Sequence, residues 1–488
     1  MLLSVCGLRK QKKKASQAHT RNPDGTGADY VRDEKDRIVS ETDTEGRVQT
    51  YGYDEKDNQT SYTDSRGSVI TWKYDAKNLL TSKTENGVDT TYTYNTDGQV
   101  KTETVAGKGA KVYEYENGNV VKITYADGTV AGFARDAIGN IIRYTDRNGT
   151  VTDYEVDAGG NVLKETVHTG ENETAETKAS YDAYGKPLSM TDAQGNTTKF
   201  EYDRHDNLVC VTRANESKIR YEYDTDGNIT KAVYPDGTTT ESAVYDTAGN
   251  LKKVVDTLKG ITTAEYSTGS KLTKLTQADG GEVKYTYYEN GLLQSQTDAC
   301  GNTTVYTYDA SGRIETVTNG EENSVSLGYD GYGNLNSVTD GEGNTIVLAY
   351  NGYGEMTSVT DANGNSTTYE YDMNNGKCSA TVDALGNRTE YVYDGMGQIL
   401  SMTRKGRTKE RDITVSFTYD ALGNVTSITD GEGSTYQIGY DKVGNVLAVY
   451  DAYGKKIESY TYDAVYNRTS VTNANGGVIE YTYHMWYL

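Results

Sequence analysis

Cysteine, histidine, basic charge and long apolar runs are all scarce in this 488-residue sequence, and each scarcity removes a class of function. The four cysteines, Cys6, Cys210, Cys300 and Cys378, stand far apart and form no CxxC pair. Neither a disulfide framework nor a zinc site is signalled, and free, partly buried thiols are expected. The four histidines, His19, His168, His205 and His484, have no i, i+4 partner and no recurring cysteine or carboxylate neighbour, which leaves no metal or nucleophilic constellation. Lysine and arginine number 49 against 71 acidic residues, a net charge of −22. Phosphate contacts need clustered cations, so nucleic acid is not an expected partner. Two local basic runs, Arg9 to Lys14 and Arg404 to Arg411, read as solvated charge. The apolar opening from Met1 to Leu8 has no basic region before it and stops at Arg9, too short for a secretory signal core or a membrane span. Val5 is too bulky for the residue that precedes a lipoprotein-type cysteine, so no lipid anchor is read at Cys6.

Apolar residues make up only 35% of the chain even with tyrosine counted, and the mean hydropathy is −0.74. Taken alone, these values lean towards disorder, because little apolar surface is there to offset the entropy of ordering the backbone. The 44 tyrosines contradict that. Tyrosine, threonine and valine dominate, which is the composition of β-strands.

The tyrosines lie in a repeat. With the tyrosine of Tyr-Asp-x-x-Gly as the frame, slots fall at Arg32, Tyr53, Tyr74, Tyr94, Tyr115, Arg135, Val156, Tyr181, Tyr202, Tyr223 and Tyr245. They continue at Tyr266, Tyr287, Tyr308, Tyr329, Tyr350, Tyr371, Tyr393, Tyr419, Tyr440, Tyr462 and Tyr483. Of the 21 intervals, 14 are 21 residues long and five are 20 or 22; only those ending at Tyr181 and Tyr419 are longer, at 25 and 26, as surface-loop insertions would be.

Each unit carries two turn signals. In Tyr419-Asp420-Ala421-Leu422-Gly423-Asn424 the aspartate stands where a type I turn wants a side chain that bonds the backbone ahead, and the glycine where a hairpin with a bulge needs positive φ. Equivalent sets are Tyr181, Asp182 and Gly185; Tyr202 and Asp203; Tyr223, Asp224 and Gly227; and Tyr308, Asp309 and Gly312. Where the glycine is missing, Asp36, Asp57, Asn78, Asp206 and Asn375 are expected to take its left-handed backbone; Ser270 and Tyr466 do not fit, and irregular units are expected there. The second signal, about ten residues on, is Asp192-Ala193-Gln194-Gly195, Asp361-Ala362-Asn363-Gly364 or Asp383-Ala384-Leu385-Gly386. Asp127-Gly128, Asp236-Gly237 and Asp279-Gly280 suit a shortened, two-residue type I′ hairpin.

Between the turns lie segments of alternating pattern, such as Leu335 to Thr339 and Thr345 to Tyr350. Tyrosines at i and i+2, as in Tyr92/Tyr94, Tyr221/Tyr223, Tyr306/Tyr308 and Tyr369/Tyr371, project from one face. The expected fold is all-β: tandem hairpins in one long antiparallel sheet of about 44 strands, coiled into a spiral and hollow because too few large aliphatics exist to fill an interior. Residues 1–27 are expected to be poorly ordered, 28–483 to hold about 22 repeats of ~21 residues, and 484–488 to form a short tail.

Nothing singular interrupts the repeat. Asp224-Thr225-Asp226-Gly227-Asn228 approaches a calcium loop but lacks the closing glutamate, and Gly341-Glu342-Gly343-Asn344 has no lysine or following helix to cradle phosphate. No catalytic residue, metal or cofactor is expected. The tyrosine faces read first as cross-strand packing and second as a platform for sugars or peptides.

At Tyr181-Asp182, Tyr202-Asp203, Tyr223-Asp224, Tyr308-Asp309 and Tyr419-Asp420 the sequence resembles the Rhs/YD-repeat family, over roughly residues 28 to 483. The resemblance implies a bacterial secreted or cell-surface protein whose β-ribbon forms a shell around a toxin, as in Rhs toxins and the Tc-toxin cocoon, with teneurins as distant users of that shell. It implies as partners an encapsulated toxin or the remaining shell segments; cell-surface glycans are the partners of the alternative, adhesive reading. Relatives close the repeats with an Asp-Pro-rich segment that in several of them cleaves itself. Here the only prolines are Pro23, Pro187 and Pro235, none after aspartate, so self-processing is carried over to no residue and a truncated or split shell segment is expected.

Overall fold

The structure is a computed structural model that describes residues 17–21, 27–43, 46–65, 67–267 and 269–483. Cys6, the basic run from Arg9 to Lys14, His484 and the tail 484–488 lie outside the described residues, as does most of the segment 1–27, from which the strand Gln17–Arg21 is described. The strands form one antiparallel sheet of 44 strands, and the only helical element among the described residues is a 3₁₀ turn at Lys409–Arg411. No helix among them is long and apolar enough to cross a membrane.

Period-two alternation with Thr, Val and Tyr gives strands mostly of five or six residues; Leu335–Thr339 and Thr345–Tyr350 have the bounds read from the sequence. Wherever the pairing is described, a strand bonds its predecessor and its successor in the chain. The two kinds of turn leave different ladders. Across the second turn Leu293–Thr297 and Thr303–Tyr308 share three residue pairs, Ser295↔Val305 to Thr297↔Thr303. Across the Tyr-Asp turn Thr303–Tyr308 and Ile314–Thr318 share four, with a register shift between Thr307 and Tyr308 that marks a bulge.

The turn at Asp420 has the predicted form: Asp420 N donates to Asn424 O at 2.9 Å, Gly423 N to Asp420 O at 3.0 Å, and Gly423 sits at φ +87°. Gly185, Gly227 and Gly312 hold the same place in their turns. Gly185 lies at φ +82° with its N 3.1 Å from Asp182 O, Gly227 at +85° and 3.3 Å from Asp224 O, and Gly312 at +76° and 2.9 Å from Asp309 O. Of the glycine substitutes, Asp36, Asp57, Asn78 and Asp206 take positive φ as expected. Asn375 does not. That loop has an extra residue, with Asp372 N bonded to Lys377 O at 2.8 Å, and Gly376 takes the left-handed position at φ +70°. Ser270 and Tyr466 keep the regular turn after all, at φ +60° and +69°, with the same closing bonds as their neighbours.

A second correction concerns the dipeptide turns. Asp127, Asp236 and Asp279 are not in the left-handed region, as type I′ would require, and the bonds Tyr125 N to Thr129 O at 2.9 Å and Gln277 N to Gly281 O at 2.8 Å follow the longer turn found elsewhere. Two-residue type I′ turns occur instead at Asn86-Gly87 and Asn117-Gly118, where both residues have positive φ and Glu85↔Val88 and Glu116↔Asn119 close the ladders.

Of the two insertions, only the second is a loop. The one before Tyr181 lengthens strands to Val162–His168 and Thr174–Tyr181, seven and eight residues. The one before Tyr419 carries the 3₁₀ turn and the basic run, closed by a Lys405–Asp412 ion pair at 2.5 Å and a bond from Gly406 N to Asp412 Oδ1 at 2.8 Å.

The chain divides into two compact units, Met1–Thr93 with Ala264–Gly364, and Tyr94–Thr263 with Asn365–Leu488. Within the first, the turn rims of the two segments meet where Ser68 Oγ donates to Gly331 O at 2.9 Å. Within the second, Asn148 Nδ2 donates to Asp394 Oδ2 at 2.9 Å. Buried apolar positions are mostly small, such as Ala131, Ala175, Ala380 and Ala448, and no large side chain among the described residues is fully buried. Cohesion must therefore come from bonds and contacts between neighbouring strands.

Candidate functional site

The repeated unit is the first candidate. Its aspartate works as a clamp. Asp420 Oδ1 accepts from Leu422 N at 2.9 Å and Asn424 N at 2.8 Å, and Oδ2 from Asn424 Nδ2 at 3.0 Å. Asp203 and Asp224 repeat this with Asn207 and Asn228. The carboxamide of Asn228, followed by backbone N–H donors, holds the Asp224 carboxyl below the usual carboxylate range; Asn207 does the same for Asp203. The oxygens of the calcium-like segment at Asp224 are thus bonded inward to its own turn. Asp309 is clamped by Arg313, whose Nε donates to Oδ2 at 2.7 Å. Asp182 accepts from the backbone of Tyr184 and Lys186, while the Lys186 ammonium pairs with Asp206.

Gly185 and Gly312 depart from the sequence reading in one respect, because that reading gave each a backbone role alone. The structure sets a neighbouring side chain against each of them as well. A Cβ at Gly185 would lie 3.2 Å from Oδ1 of Asn161, which belongs to the preceding Tyr-Asp turn. A Cβ at Gly312 would collide with the Arg47 guanidinium, which reaches it from a distant part of the same compact unit. Gly423 faces the Gln398 carboxamide, whose nitrogen would stand 3.2 Å from a Cβ.

The tyrosine performs the next task. In at least ten repeats its hydroxyl donates to the main-chain oxygen fifteen residues earlier, at 2.7–3.0 Å: Tyr223 to Leu208, Tyr308 to Leu293 and Tyr202 to Pro187 are examples. The acceptor is the first residue of the preceding strand, beyond the three-pair ladder of the second turn, so the phenol supplies the donor that the ladder does not. Tyr419, after the longer loop, reaches Ile399 O at 2.7 Å. Tyr181, after the lengthened strands, donates to no main-chain oxygen among the described residues.

The residue after the glycine carries a further role that pattern reading missed. In four units it is cationic and lies over the tyrosine of the next unit, sixteen residues on: Arg313 over Tyr329 at 4.1 Å, Arg37 over Tyr53 at 4.7 Å, Lys186 over Tyr202 at 5.5 Å and Lys271 over Tyr287 at 5.6 Å. The signal was present as Lys or Arg alternating with Asn at one frame position. Threonine hydroxyls brace the base of the second turn, as between Thr297 and Thr303 at 2.8 Å.

Departures from the repeat join rims within a unit. The Tyr466 hydroxyl accepts from Asn196 Nδ2 at 2.9 Å and donates to Asp192 Oδ2, displacing the bond that Asn and Asp make with each other elsewhere. Burial, and then Asp192, push that phenol up to about 12. Gly395 is required by proximity: a Cβ there would lie 2.6 Å from Arg147 O.

Clefts follow the tyrosine-bearing strands. One of about 990 Å³ is lined by Asp203, Arg204, His205, Tyr221, Tyr223 and Asp226, among others. Another, of about 610 Å³, lies in the other unit between Arg47 and Tyr288, Asn290 and Tyr308. Cys210 is buried, Cys378 half-buried and Cys300 exposed, all as free thiols.

The chain matches the family model described as Teneurin YD-shell over residues 148–257 and 316–451, together about half of its length. It matches RHS Repeat over 32–69, 287–323 and 440–483. No curated protein matches it. Among solved structures it is similar to a Photorhabdus luminescens Tc holotoxin pore, at 15% identity and TM-score 0.54 over 94% of this chain and 28% of that one. It is also similar to TcdB2-TccC3-TEV and to TcdB2-TccC3 without its hypervariable C-terminal region, each at 14% identity and TM-score 0.51 over 92% of this chain and 28% of the other. These likenesses concern the fold, and the chain spans less than a third of the length of those proteins.

Proposed function

The chain belongs to the teneurin YD-shell family, and from that premise we propose that it is a non-catalytic wall segment of a secreted shell enclosing a polypeptide cargo of the toxin type. The observation that carries this reading is the recurring bonding of one unit to the next, through the tyrosine hydroxyl and the preceding strand, without any large fully buried side chain among the described residues. A wall needs repeated lateral cohesion and no singular reactive group, and the turn carboxylates are engaged by their own turns. Co-expression with the polypeptides encoded beside it, followed by limited proteolysis, tests the reading. A cargo chain that survives protease only in the presence of this protein is the expected result; cleavage of every such chain at its free rate refutes it.

A second reading, adhesion to cell-surface glycans, is favoured by the cleft at Tyr221 and Tyr223, where aromatic rings stand beside Asp203, Asp226 and His205. Sugars stack on such rings and bond such polar groups. Glycan-array binding that disappears in Tyr221→Ala would support it; an array without signal would remove it.

A further inference from the structure

Position 156 is where the array breaks its own rule. Val156 occupies the slot that holds tyrosine in most units, and the main-chain oxygen fifteen residues before it belongs to Ile141. Among the described residues no side-chain hydroxyl donates to that oxygen. The preceding slot is also without tyrosine, but there Arg135 substitutes as a donor, with Nε 3.4 Å from Val120 O and Nη1 2.7 Å from Gly139 O. Between these slots lies a hollow of about 590 Å³, inside one unit, whose walls include Phe133, Ile141, Tyr144, Tyr154, Val156 and Val162. Phe133 and Tyr144 form a fixed aromatic wall, their rings 5.3 Å apart and 31° from parallel. Burial, and then Glu165, push the Tyr154 phenol up, which keeps it neutral, and Arg135 also lines the hollow.

We propose that this hollow is a binding site for a neutral phenol ring, presented by a tyrosine side chain of a partner polypeptide. The ring enters where the repeat's own tyrosine would lie, against Val156 and Val162, and its O–H donates to Ile141 O as Tyr308 donates to Leu293 O. A largely apolar hollow left by a missing ring takes up a ring of that shape, and the Ile141 carbonyl, which receives no side-chain hydroxyl among the described residues, selects one carrying a hydroxyl. The site follows from the tyrosine-less slot and is independent of the cargo reading.

The test uses the full chain with p-cresol, toluene and N-acetyltyrosinamide as probes, followed by ligand-observed NMR and thermal shift. The wild-type protein is expected to bind p-cresol about five-fold more tightly than toluene, the ratio that one net hydrogen bond gives. Val156→Tyr restores the repeat and is expected to raise Tm and abolish saturable p-cresol binding. Toluene binding as tightly as p-cresol, or undiminished p-cresol binding by Val156→Tyr, overturns the proposal. The ratio needs no variant and decides the matter if Val156→Tyr does not fold. Displacement of p-cresol by N-acetyltyrosinamide supports the side-chain source, and failure to displace it overturns that source.

Discussion

Tyr466 stands where the repeat wants glycine and holds positive φ, a conformation that costs an ordinary L-residue about 1–2 kcal/mol. Its hydroxyl offsets that cost through Asp192 and Asn196. Tyr466→Phe keeps the ring and the strain but loses both bonds, and should destabilise the protein by about 1–2 kcal/mol, read as a lower urea midpoint. The clamp of each turn predicts a different readout. Asp420→Ala removes the acceptor of the Leu422 and Asn424 amides, and hydrogen exchange at those two positions should accelerate while distant turns keep their rates. Acid should act on many such groups together. Arg143, and then His168, hold the Asp153 carboxyl at about 2 against the usual value near 3.9, and the turn carboxyls of Asp203, Asp224, Asp246, Asp298, Asp340 and Asp383 are lowered by their asparagines. A depressed folded-state value stabilises above the unfolded one and is lost as pH falls through the folded one. The urea midpoint should therefore fall between pH ~4 and ~2; a flat profile there would contradict the clamp.

At the scale of strands and turns, the Tyr-Asp-x-x-Gly frame was legible because each of its residue types answers one backbone demand. Leu335–Thr339 and Thr345–Tyr350 could be bounded from alternation alone. What misled was the assumption that a residue type determines the turn. Asp127-Gly128 resembles a type I′ dipeptide, yet Tyr125 begins the turn and the aspartate stays at negative φ; only asparagine, at Asn86 and Asn117, enters the left-handed region there. Tyr466 was misread because its compensation lies 274 residues away at Asp192, beyond any local pattern. Gly185 and Gly312 were legible as turn residues but not as close approaches, since Asn161 and Arg47 meet them only in the folded units; Gly395 and Arg147 are a further case. Gly395→Ala forces a methyl against that main-chain oxygen and should cost about 1–3 kcal/mol by chemical unfolding, whereas Gly331→Ala, where a Cβ meets nothing within 4 Å, should be nearly neutral.

For the whole molecule, the fold class could be read from composition and period together: tyrosine and threonine marked strands, and the scarcity of large aliphatics foretold the thin burial seen at Ala131, Ala380 and Ala448. The donation of tyrosine hydroxyls to main-chain oxygens could not be foreseen, because it depends on how far the ladder of the second turn extends. Stability that resides in contacts between neighbours makes an array nearly one-dimensional. Unfolding should then be broad, with hydrogen exchange in different repeats lost at different urea concentrations; coincident loss in all repeats would show a cooperativity that nearest-neighbour bonding does not provide.

The residues that accept from the hydroxyls of the repeat-frame tyrosines include Gln59, Val100, Pro187, Leu208, Cys378 and Val425, and in each of these the atom engaged belongs to the main chain. Such a handshake is blind to the identity of its recipient. A regular unit duplicated or exchanged by recombination finds the same acceptor beside any regular neighbour, so that bond by itself asks for no compensating substitution, and long arrays become evolutionarily cheap to edit.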